Sequence, residues 1–148
     1  MSKITNAESE VGAIYAAQWR MIYMGLNKYD SHATGELLTV ITIALLDKAG
    51  YNPTVRDLVE ITGLKQTTVA RYVTNQLKAS YIKDTITPQD RRRRRLCPTE
   101  KGRKEADWND KQTLEMARLT GKALRSLGDS KDPVSDLKKI LLDVAAST

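Results

Sequence analysis

The three residues Thr62-Gly63-Leu64 separate two short amphipathic segments, and a break this tight restricts the surrounding chain to a pair of helices folded against each other. Pro53 forces Asn52 into an extended conformation, and Thr54 with Asp57 three positions later makes a capping pattern that starts the first helix. Val55, Leu58, Val59 and Ile61 supply its buried face. The second helix runs from about Gln66 to Ala79, with Val69, Val73 and Leu77 at i, i+4 and i+8. Its other face is polar: Thr67, Thr68, Arg71, Asn75 and Lys78.

Two short extended segments come next, Tyr81 to Thr87 and Arg93 to Cys97, joined by Pro88-Gln89-Asp90-Arg91-Arg92. Ile82 and Ile86 alternate with polar residues and Leu96 supplies an inward contact from the return strand, the pattern of a hairpin. Helical periodicity brackets this region. A long amphipathic helix is expected from about Ala7 to Asn27, carrying Val11, Ile14, Tyr15, Gln18, Ile22 and Leu26, and a second from an N-cap at Thr34 to Ala49 before Gly50. Thr99-Glu100 opens a helix reaching about Leu127, and Asp132 as N-cap with Pro133 at the first helical position starts the last one. The fold class expected is mainly α with a small β-hairpin. Residues 34–99 form its core, with helices in 1–30 and 100–148 flanking it inside a single 148-residue domain.

Charge is concentrated in one place. Nine cationic residues, Lys83, Arg91 to Arg95, Lys101, Arg103 and Lys104, face three acidic ones between Tyr81 and Lys104; this accounts for the whole net charge of +6, and the rest of the chain is balanced. A neutral body with one cationic segment suggests that a polyanion meets it there. Five adjacent arginines repel each other, and the planar guanidinium suits phosphate and narrow minor grooves better than an ammonium does.

Other functions find little support. The longest uncharged apolar run, Leu37 to Leu46, is ten residues, against roughly 18 or more for a membrane span. The amino terminus lacks the apolar stretch of a signal peptide, and one cysteine allows no internal disulfide, so a cytoplasmic protein is expected. With one histidine (His32), one cysteine (Cys97) and no glycine-rich phosphate loop, the chain offers neither an enzyme's constellation nor a metal or cofactor site.

Two short helices, a tight turn and a hairpin follow the order of a winged helix-turn-helix, whose second helix enters the major groove. Gln66 and Asn75 suit adenine, Arg71 guanine, and Thr67 and Thr68 phosphates or the thymine methyl. The stretch from Val55 to Val73, followed by Asp90-Arg91-Arg92 and then Leu96-Cys97-Pro98-Thr99-Glu100-Lys101-Gly102-Arg103, resembles the core of MarR-family transcriptional regulators. The Asp-Arg-Arg wing tip followed at fixed spacing by Thr-Glu-Lys-Gly is the most diagnostic part.

The resemblance implies a homodimer interlocked through the first, fifth and sixth helices, binding double-stranded DNA. Its recognition-helix contacts would come from Lys65, Gln66, Thr67, Thr68, Arg71, Tyr72 and Asn75, and its wing contacts from Asp90, Arg91, Arg92, Arg93, Arg94 and Arg95. Asp90 would brace the wing by pairing with a neighbouring arginine, and Arg92 would enter the minor groove. Some members release DNA on binding small aromatic effectors, but Trp19, Trp108 and Tyr15 are assigned here to helix packing. The chain departs from the pattern at three places. Lys65 stands where serine commonly caps the recognition helix, Ser80 where glycine commonly follows it, and Pro98 where leucine commonly precedes Thr99. Since proline cannot donate to a ladder, the return strand is expected to end by Cys97. The rival reading is an interaction module that binds a protein partner or RNA.

Overall fold

The computed structural model describes residues 6–29, 33–87 and 90–146, with side chains described outside 6–8, 86–87, 90–93 and 144–146. Among the described residues six helices and one antiparallel strand pair follow in the order α1 (Asn6–Asn27), α2 (Thr34–Lys48), α3 (Val55–Thr62), α4 (Gln66–Lys78), β1 (Ile82–Thr87), β2 (Asp90–Pro98), α5 (Glu100–Leu127) and α6 (Pro133–Ala146). The chain divides into two compact units, one of residues 31–107 and the other of residues up to 30 and from 108 onward.

In the unit of residues 31–107, α3 begins as its sequence dictates. The Thr54 side chain accepts from the Asp57 N–H, the Asp57 carboxylate accepts from the Thr54 N–H, and the helix ends at Gly63 in the left-handed region, φ 73°. Leu58, Val69, Val73, Ile43, Ile82 and Leu96 form the core, with Leu46, Val55, Val59, Leu64 and Leu77 against it, so every element from α2 to β2 contributes. Ile61 does not join them and is 57% exposed. At 3.6 residues per turn it points about 110° away from the stripe centred on Val55, Leu58, Val59 and Thr62.

Two other expectations are corrected. Thr34 is the first residue of α2 rather than its cap; extended Ala33 holds the cap position with no side-chain bond, so helical backbone begins one residue earlier than the composition suggested. The return strand also continues through Pro98, opposite Ile82. The adjacent Thr99 N–H donates to the Tyr81 carbonyl at 3.0 Å. Because bonded and non-bonded pairs alternate in an antiparallel ladder, Pro98 falls in a non-bonded pair where no N–H is required. The same alternation turns the Leu96 N–H away from β1, and it donates to the Pro53 carbonyl at 2.7 Å.

In the other unit, Ala16 and Met116 are buried with Trp19, Leu119 and Leu141 packed around them. Trp19 stacks on Tyr23 with ring centres 4.8 Å apart. Arg20 is fully buried. Its Nη1 donates to Asn109 Oδ1 at 2.9 Å and Thr113 Oγ1 at 3.3 Å, and its guanidinium lies 5.1 Å from the centre of the Trp108 ring. Burial pushes this guanidinium below its ordinary value, with Tyr29 opposing the shift. α6 starts as expected, with the Asp132 carboxylate accepting from the Ser135 N–H at 3.1 Å.

Candidate nucleic-acid interface

The four residues Thr99-Glu100-Lys101-Gly102 have a spatial rationale. The Thr99 hydroxyl accepts from the Gly102 N–H at 3.0 Å, capping α5, and donates to the Ser80 carbonyl. Lys101 Nζ reaches the Ala79 carbonyl at the end of α4, 2.9 Å away. A β-carbon on Gly102 would lie 2.1 Å from the Tyr81 carbonyl oxygen, so only glycine fits. These contacts tie the end of the candidate recognition helix to the start of α5 and set where the wing departs.

On α4 the structure sorts the sequence candidates. Lys65, Gln66, Thr67, Arg71 and Asn75 are exposed and Thr68 is half-buried, whereas Tyr72 is turned inward at 8% exposure. Tyr72 lies where a β-carbon on Gly35 would touch its ring, and Arg71 rests 5.2 Å from the centre of that ring. Thr74 and Lys78 complete the outward stripe with Thr67 and Arg71. Thr74 was absent from the sequence candidates; its hydroxyl donates to the Ala70 carbonyl at 2.9 Å. No acidic residue occurs along α4.

The arginine run divides. The backbones of Asp90, Arg91, Arg92 and Arg93 belong to β2, but their side chains lie outside the described residues, and with them the expected brace by Asp90 and the minor-groove position of Arg92. The described brace is Asp84 with Arg94, a two-pronged contact in which Arg94 Nε donates to Asp84 Oδ1 at 3.1 Å and Nη2 to Oδ2. Hydrogen bonding to Asp84 and its charge hold the Arg94 guanidinium above its ordinary value. Asp84 pairs with Leu96 in the ladder, which makes Arg94 its diagonal neighbour. That relation becomes legible only once the register is known. Arg95 is half-buried, its Nη1 donating to the Asn52 carbonyl at 2.9 Å.

Cys97 is half-buried, with its Sγ 3.4 Å from the Pro98 carbonyl and 3.5 Å from Arg103 Nη2. Among the described residues no cluster of histidine, cysteine and carboxylates could hold a metal ion, and no helix is long and apolar enough to cross a membrane. His32 lies outside the described residues.

This arrangement of helices and hairpin is the fold of the MarR-type winged-helix regulators. Solved structures share it over most of their length. The S. aureus MepR–DNA complex aligns with a TM-score of 0.60 at 17% identity, over 88% of this chain and 94% of that one. The transcriptional regulator Tm0710 from Thermotoga maritima aligns at 0.60 and 17%, over 91% and 92%. A mutant MarR from E. coli aligns at 0.52 and 12%, over 88% of each. No family model and no curated protein sequence matches the chain.

Proposed function

We propose that the protein is a sequence-specific, double-stranded DNA-binding transcriptional regulator that acts as a homodimer and not as an enzyme. The observation that carries this reading is an α4 face without acidic residues, bearing Gln66, Thr67, Arg71 and Asn75, followed directly by an arginine-rich hairpin. Residues of this type read base edges in the major groove, and arginines on a narrow hairpin reach phosphates and the minor groove. Fold similarity to MepR, solved in complex with DNA, supports the assignment. In this reading Tyr72 supports α4 from beneath, and Arg91, Arg92 and Arg93 carry the wing's groove contacts.

The homodimer rests on α1. Val11, Ile14, Tyr15 and Ile22 are 49–67% exposed, so the apolar stripe recognised in the sequence, Tyr15 included, is left open within one chain. Such a stripe marks an association surface, and a two-fold assembly places two recognition helices about one DNA turn apart.

Selection of bound sequences from a random duplex pool tests the reading. A pseudo-palindromic site with two half-sites is expected. Arg71→Ala should weaken binding to that site by about 1 to 3 kcal/mol and relax selectivity at one position. Weak, sequence-blind binding at physiological salt would instead favour the interaction module for protein or RNA.

A further inference from the structure

Arg95 is held by two contacts near the base of the wing. Its guanidinium lies over the Tyr51 ring, 5.5 Å from the centroid, while Nη1 donates to the Asn52 carbonyl at 2.9 Å. The Tyr51 hydroxyl donates to Asp57 Oδ2 at 3.0 Å, and the same oxygen accepts from the Thr54 N–H at 2.9 Å, inside the capping box of α3. One residue beyond Arg95, the Leu96 N–H donates to the Pro53 carbonyl. A continuous chain of contacts therefore runs from the return strand of the wing to the first turn of the helix that supports α4.

We propose that Arg95 is a positioning residue: it fastens β2 to the α3 cap through Tyr51 and Asp57, sets the direction of the wing relative to α4, and makes no phosphate contact itself. A two-stranded hairpin is marginal on its own. The ladder here is regular only between Ile82 and Thr85, with an irregularity before Thr87, so the direction of the distal wing depends on what grips the outer edge of β2 near its base. A planar guanidinium can stack on the ring and donate from its edge at once, which an ammonium cannot. Asp57 faces the same cluster, and the Arg95 charge helps to keep its carboxyl ionised.

The affinity part of the test rests on the proposed DNA-binding reading; the exchange part does not. Full-length wild type, Arg95→Met and Tyr51→Phe are compared by amide hydrogen exchange and by affinity for a mixed-sequence duplex across a salt series. Faster exchange at the Leu96 amide with unchanged protection in α4 is expected for both variants. Arg95→Met should lower affinity about tenfold and Tyr51→Phe about threefold, as losses of one charged and one neutral hydrogen bond, without changing the slope of log affinity against log salt. A slope shallower by about 0.9 for Arg95→Met would make Arg95 a phosphate contact and overturn the proposal. Unchanged Leu96 exchange would overturn it as well. Should Arg95→Met fail to fold by circular dichroism, Tyr51→Phe decides, since it removes one hydroxyl and keeps the ring. If wild type binds no duplex at all, the DNA-binding reading falls while the exchange result still decides the anchor.

Discussion

Ser80 adopts φ 64°, in the left-handed region, directly after α4. A β-carbon there meets the backbone, so Ser80→Gly should raise stability by about 1 kcal/mol, read as a higher denaturant midpoint at constant slope. Its carbonyl accepts from Thr99, a backbone contact that glycine keeps. Gly102 is the converse case. An added methyl would collide with the Tyr81 carbonyl, which already accepts from the Thr99 N–H, and neither backbone can retreat without breaking that bond. Gly102→Ala should cost about 2 to 3 kcal/mol by the same measurement. Both positions stand out in the sequence by their place in a motif. Ser80 matters through its own backbone angle, and Gly102 through a close approach to Tyr81, some twenty positions earlier, which no local pattern expresses.

Helix α3 shows how far local chemistry reaches. Its start at Thr54 and its stop at Gly63 are set by short-range bonds, so both are legible before any folding is considered. Thr54→Ala should cost about 1 kcal/mol in chemical denaturation. Burial works against ionisation of Asp57, yet bonds from the Thr54 backbone, the Tyr51 hydroxyl and the Thr54 side chain, together with the Arg95 charge, hold its carboxyl below the ordinary value of 3.8. The folded state thus favours the ionised form. Its stabilising contribution is fully present above the unfolded value and is lost as pH falls through the lower folded one. Stability measured from neutral pH downward should show this loss in wild type, and Asp57→Asn should remove that part of the acid limb. By contrast, the place of Ile61 depended on which side of a short helix met α2 and the hairpin, and four apolar residues in eight do not specify that side.

For the molecule as a whole, the open face of α1 bears on assembly. Ile14 and Ile22 are 59% and 54% exposed, so the double variant Ile14→Asp, Ile22→Asp should leave the helices intact by circular dichroism. Sedimentation should then fall to the mass of one 16.6 kDa chain, with duplex affinity falling alongside. A wild-type protein already sedimenting as a single chain would remove the homodimer from the proposal. Within the wing Arg94 pairs with Asp84, and Arg95 is engaged by Asn52 and Tyr51.

Sequence alone was sufficient for the element order, the helix-turn-helix break at Gly63 and the cationic segment, because capping, hydrophobic period and net charge are properties of neighbouring residues. It could not distribute the arginines. Whether an arginine on β2 meets solvent, Asp84 or Tyr51 depends on strand register and on the chain before α3 lying along the outer edge of β2. These relations join positions 51–57 to 94–96, and they exist only once the core around Leu58 and Leu96 has brought the two segments together.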